Sequence, residues 1–163
     1  MNTHKIVGSD AMQTLGMSLA KQWLPNSHEP VSSSHEPVSS SRPPVLVYLN
    51  GDLGSGKTTL AQGVLRGLGV SEAVTSPTYT LVEQYETDSG LISHLDLYRL
   101  ERPSELSALG FEDIYTNSVL VIIEWPSKAA EFLPKPSCSV ECTYVDSDSR
   151  IVMISDEESF ASI

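Results

Sequence analysis

The chain is poor in positive charge. Ten Lys and Arg stand against 21 Asp and Glu, a formal net charge of −11 over 163 residues. Nucleic-acid surfaces work by neutralising phosphates with cations. This composition supplies few, so direct nucleic-acid binding by the chain alone is disfavoured. An acidic small ligand has to be held locally, by a few placed groups. Six of the acids lie from Glu141 onward, where Arg150 is the single basic residue, a charge run that reads as solvated surface. Cysteine is scarce as well. Cys138 and Cys142 are too few for a disulfide framework, which points to a reducing, cytoplasmic setting. No apolar run approaches the ~18 residues of a membrane span, and the opening MNTHKIVGSD lacks the apolar stretch of a secretory signal. The apolar share of 40% nevertheless suffices for a core and excludes a disordered or collagen-like chain. The length predicts one domain, 1–163.

Residues 4–8 read as a short edge strand, and 9–23 as an amphipathic helix capped by Ser9 or Asp10, with Met12, Leu15, Leu19 and Trp23 on its apolar stripe. Then SHEPVSS occurs twice in tandem, at 27–33 and 34–40. Its prolines and serines forbid a stable helix, so 25–44 is expected to be a flexible surface insertion. A metal pair of His28 and His35 is disfavoured there, since no Cys accompanies them.

The apolar run VLVYLN at 45–50 suits a strand buried on both faces. Residues 57–68 predict a helix ending before Gly69, and 78–86 with 91–97 a hairpin turning at 87–90. A short helix is expected from 103 to 109, ending at Gly110. VLVIIE at 119–124 reads as a second buried strand, 126–132 as a helix opened by Pro126, and 140–145 with 150–154 as a last hairpin. The result is an α/β chain with a mixed sheet, followed by an acidic tail at 155–163.

Between the first buried strand and its helix stands Gly51-Asp52-Leu53-Gly54-Ser55-Gly56-Lys57-Thr58, a full match to G-x-x-x-x-G-K-[ST]. Glycines permit close backbone approach, and successive N–H groups then cradle phosphate oxygens at a helix N-terminus. Lys57 can reach the β- and γ-phosphates, and the Thr58 hydroxyl is a hard oxygen ligand for Mg²⁺. Such a site needs a carboxylate for the ion. Glu124 ends the second buried strand, where a Walker B acid would sit. Glu in place of the usual Asp suggests contact through water, or activation of water. Asp96 ends the strand LISHLD, and strand periodicity puts His94 and Asp96 on one face; His94 reads as a packed histidine. GTPase motifs N-K-x-D and D-x-x-G are absent, as is the L-S-G-G-Q signature. A small-molecule kinase remains the alternative through Arg99 and Arg102, although a hairpin separates the loop's helix from the Glu124 strand.

GDLGSGKTT, SPTYTLVEQY (76–85), HLDLYRL (94–100), ELSALGFEDIY (105–115) and VIIEWP (121–126) resemble, in order and spacing, the TsaE family, formerly the YjeE type. The resemblance spans about 5 to 154 without the insertion. It implies a P-loop NTPase-like α/β fold with a mixed sheet, and slow Mg²⁺-dependent ATP hydrolysis in tRNA threonylcarbamoyladenosine synthesis. The implied partners are the TsaB and TsaD proteins, with tRNA met only through their complex and no membrane involved. Lys57, Glu124 and Asp96 are then the implied catalytic residues. Asp52, Leu53, Gly54, Ser55, Gly56, Lys57, Thr58, Thr59 and Arg150 would hold ATP, and Thr58, Glu124 and Asp96 the Mg²⁺. Ser76 to Thr80 resembles a switch-like loop. Two departures stand: in the N-terminal helix the family usually has Thr where this chain has Met12, and the SHEPVSS repeat has no counterpart in the family.

Overall fold

The computed structural model describes residues 1–25, 43–71, 77 and 79–156. The tandem repeat with its two histidines, Ser76 and Thr78 of the switch-like loop, and 157–163 of the acidic tail lie outside the described residues.

Seven strands form one mixed sheet: β1 (Asn2–Val7), β2 (Val45–Asn50), β3 (Val82–Thr87), β4 (Gly90–Asp96), β5 (Leu120–Glu124), β6 (Cys138–Tyr144) and β7 (Ser149–Asp156). Their order is β1-β7-β6-β2-β5-β4-β3. The centre, β6-β2-β5-β4, is parallel, while β3, β7 and β1 run antiparallel at the two sides. A parallel centre is covered on both faces, which is why its strands are apolar runs; every residue of β5 is buried. The hairpins β3–β4 and β6–β7 form as expected, and β1 takes the edge.

On one face, α1 (Ser9–Trp23) and α2 (Lys57–Gly67) pack with Val47, Leu49, Ile92, Ile122, Val140 and Val152. On the other, α3 (Glu105–Ala108), α4 (Phe111–Asn117) and a 3-10 helix (Pro126–Phe132) cover Leu46, Leu95, Val121 and Ile123. Each of these large apolar side chains contributes roughly 1.5–3 kcal/mol when fully buried. The two helices of the first face meet backbone to backbone. A Cβ on Gly16 would lie 2.4 Å from the Leu60 carbonyl oxygen, and one on Gly63 would lie 2.3 Å from that of Gln13. No helix among the described residues is long and apolar enough to cross a membrane.

Two local expectations need correction, and one helix adds to those expected. The N-cap of α1 is Gly8, and neither Ser9 nor Asp10 makes a side-chain cap; Gly8 takes φ of +80° as the chain leaves β1, and its N–H donates to the Asp148 carbonyl. Pairing of β3 starts at Val82 instead of 78. Leu81, at φ +65°, closes a turn whose N–H bonds back to the Pro77 carbonyl. The region after Gly110 is helical: Gly110 at φ +73° ends α3 and caps α4 at once, burying Phe111 and Ile114. Seven residues are too few for apolar periodicity to declare that helix.

Candidate nucleotide site

The site lies where β2, β5 and β4 end together. All three run parallel, so their C-terminal ends converge on the loop that follows β2. That loop needs its glycines. Gly51 sits at φ +129°, and a Cβ there would come within 2.2 Å of the Cys142 carbonyl oxygen. Gly56, at φ +100°, caps α2, and a Cβ on it would stand 2.9 Å from Met12 Cε. The Met12 position therefore packs beneath the loop. Helix α2 begins at Lys57, so its free N–H groups and positive dipole end point into the concavity of the loop.

Lys57 is buried, at 4% exposure. Its ammonium donates to the Gly51 carbonyl (2.7 Å) and the Asp52 carbonyl (2.8 Å), with Ser55 Oγ at 3.4 Å. It lies 4.2 Å from the centre of the Trp125 ring, in cation–π range. Loss of water pushes its pKa below the ordinary lysine value, opposed by Glu124 first and then by Cys142, Asp96 and Asp52. A partly desolvated cation surrounded by loop carbonyls is primed for an anion.

Glu124 is the last residue of β5 and is 2% exposed. Thr58 Oγ1 lies 3.0 Å from each carboxylate oxygen, so one hydroxyl proton is shared between them. His94 Nε2 lies 2.9 Å from Oε1. Asp96 is the register partner of Glu124 on β4, and its Oδ1 accepts the Tyr98 N–H at 3.0 Å. Lys57 and Thr58 thus meet Asp96 and Glu124, distant in sequence, at the C-terminal ends of the parallel strands. Ser55 is buried under the loop; Asp52, Leu53 and Gly54 form its exposed rim; Thr59 is half-buried in the first turn of α2. Arg150 reaches the rim from β7, donating to the Gly54 carbonyl at 3.1 Å while its guanidinium stacks on Tyr144.

Two residues gain roles that sequence reading did not assign. His94, expected to be a packed histidine, is hydrogen-bonded to Glu124. Cys142 faces Gly51 through its backbone carbonyl, and no motif signals such a contact. Trp125 adopts φ +57°, which is uncommon for a large side chain, and its ring lies 5.0 Å from that of Tyr98.

The oxygen donors fit Mg²⁺: a hydroxyl and two carboxylates, all hard ligands. Among the described residues no cluster of three or more His, Cys, Asp or Glu could hold a metal alone.

A glycine loop between a parallel strand and a helix, a lysine and threonine at the helix start, and a carboxylate on the adjacent parallel strand define a P-loop NTPase-like α/β fold. The family described as "Threonylcarbamoyl adenosine biosynthesis protein TsaE" matches residues 8–152. The TsaE protein of Haemophilus influenzae is 46% identical over 110 residues, 68% of this chain and 70% of that one. That of Nostoc is 43% identical over 64% of this chain and 66% of its own. The crystal structure of Bacillus subtilis YdiB superposes with a TM-score of 0.71 at 20% identity, covering 98% of this chain and 88% of that one, and shares the fold. The chain belongs to the TsaE family, whose members are named for tRNA threonylcarbamoyladenosine biosynthesis.

Proposed function

We propose that the protein binds and hydrolyses ATP with Mg²⁺, and that it does so on a complex of TsaB and TsaD proteins during threonylcarbamoyladenosine modification of tRNA. One observation carries this reading: the Glu124 carboxylate stands 3.0 Å from Thr58, directly beside the phosphate loop and its lysine. The loop N–H groups and Lys57 bind the β- and γ-phosphates. Thr58, Glu124 and Asp96 hold Mg²⁺, which when bound neutralises charge on the phosphate oxygens. Glu124 orients a water and accepts its proton as the water oxygen bonds to the γ-phosphorus. The bond from the γ-phosphorus to the β,γ-bridging oxygen breaks, and ADP keeps that oxygen. Arg150 closes the loop rim against the nucleotide.

The charge of −11 suits an accessory subunit that docks on proteins and meets tRNA only through them. The test is ATP hydrolysis by the purified chain with and without TsaB–TsaD, beside single-turnover tRNA modification with a non-hydrolysable analogue. Hydrolysis stimulated by the complex, and modification stalled by the analogue after one round, are expected. ATP binding too weak to saturate at millimolar concentration, or phosphate transferred to an acceptor other than water, would overturn the reading.

A further inference from the structure

The inference below rests on the hydrolytic reading of Glu124. We propose that His94 is a positioning residue for that reaction: it holds the Glu124 carboxylate through a hydrogen bond from Nε2–H to Oε1.

His94 is fully buried on β4, at 0% exposure, on the face that carries Ile92. Its register partner is Ile122, and the next residue on that face, Asp96, pairs with Glu124. The ring therefore spans one step of the ladder to reach Glu124, with Nε2 at 2.9 Å from Oε1. An ionised carboxylate carries no proton, so the imidazole is the donor. Nδ1 is buried with no hydrogen-bond partner. A proton there would be an orphaned buried donor, so the Nε2–H tautomer satisfies the most groups. A buried polar ring in an apolar layer is costly unless it is bonded, which makes the single bond to Glu124 the reason His94 fits.

Glu124 has two donors in this structure, and they are not equivalent. Thr58 is a residue the nucleotide and its ion recruit, so its hydroxyl is withdrawn from the carboxylate when the site fills. His94 is too deep to touch nucleotide or water. Its bond persists through the cycle, fixes the rotation of the carboxylate, and leaves Oε2 to face the reactants. Misplacement of a catalytic group by a fraction of an ångström is enough to slow turnover while leaving affinity intact.

The experiment compares His94→Leu and His94→Gln in the full chain, assayed with TsaB–TsaD for turnover and for nucleotide affinity, in wild-type and Glu124→Ala backgrounds. The Gln amide nitrogen reaches the position of Nε2, whereas Leu supplies volume without a donor. Loss of a partner behind a site ligand typically costs about 10–100-fold. His94→Leu is expected to lower kcat within that range with affinity changed less than twofold. His94→Gln should recover most of the rate, and His94→Leu should add nothing once Glu124 is Ala. Equal damage from Gln and Leu, or the same loss in the Glu124→Ala background, would make His94 a packing residue. Nitrogen-15 spectra of the wild-type protein are independent of any variant's folding: Nε2 protonated is expected, and an unprotonated Nε2 overturns the inference. A wild-type chain that hydrolyses no ATP with its partners would instead remove the hydrolytic reading itself.

Discussion

Gly16 lies in the middle of α1, where replacing Gly by Ala ordinarily stabilises a helix by about 1 kcal/mol. Here the opposite is expected. The added Cβ would sit 2.4 Å from the Leu60 carbonyl oxygen, 2.8 Å from the Val64 nitrogen and 2.9 Å from Gly63 Cα, all backbone atoms of α2. Backbone has no rotamer to change, so the helices must separate. Overpacking of this kind costs about 1–3 kcal/mol, and rigid contact atoms put it at the upper end. Against the propensity gain, the net is a destabilisation of about 2 kcal/mol, which lowers the melting temperature by about 4–8 °C for a chain of this size. Gly63→Ala meets the Gln13 carbonyl at 2.3 Å and should behave alike. Once one substitution has moved α1 away, the second costs less, so the double variant should fall short of the sum. The shift would also reach the site, because Met12 of α1 packs against Gly56; weaker nucleotide binding should accompany the lower melting temperature. Thermal melts of the two single variants and the double settle the matter. A melting temperature that rises in Gly16→Ala, as on an exposed helix, would refute the close approach of the two helices.

Lys57→Met should abolish ATP use yet keep or slightly raise the melting temperature of the nucleotide-free chain, since its ammonium is held at a desolvation cost; a fall beyond roughly 5 °C would contradict this. Glu124→Ala should cut hydrolysis by about 10²-fold while sparing most nucleotide binding, and equal losses of both would assign the carboxylate a purely structural role. Mg²⁺–ATP should change the intrinsic fluorescence, and Trp125→Phe should remove most of the change, because the Trp125 ring lies 4.2 Å from the Lys57 ammonium. Trp23, buried among Leu19, Leu68 and Cys138, should not contribute, so a change that survives in Trp125→Phe and vanishes in Trp23→Phe would refute the placement. Stability should also fall in alkali. Burial pushes the Cys138 and Cys142 thiols from 9.0 up to about 12, so they stay protonated when folded and ionise first when unfolded. Their contribution is complete below pH 9 and lost above it, about 2–3 kcal/mol by pH 10. Denaturant melts should show that fall flattened in a Cys138→Ala, Cys142→Ala variant; an unchanged slope would reject it.

Much of the molecule is legible in its residues alone, for a physical reason. A phosphate loop is a local device: its glycines, lysine and threonine occupy eight consecutive positions, and the strand before and helix after announce themselves by apolar run and period. Glu124 and Asp96 were legible one step further out, because each ends a strand whose apolar pattern is plain. What no local pattern contains is the order of the strands. Only the parallel registers β2–β5 and β4–β5 bring Thr58, Glu124, Asp96 and Lys57 together at the C-terminal ends of these strands. The same registers turn His94 from a residue with a bland core reading into a donor on Glu124. The parallel β2–β6 register, with Asn50 opposite Glu141, puts Cys142 behind Gly51, although β6 lies far along the chain. The missed helix α4 and the late start of β3 have a smaller cause. Gly110 and Leu81 take positive φ, and a single turn residue of this kind leaves no period to read.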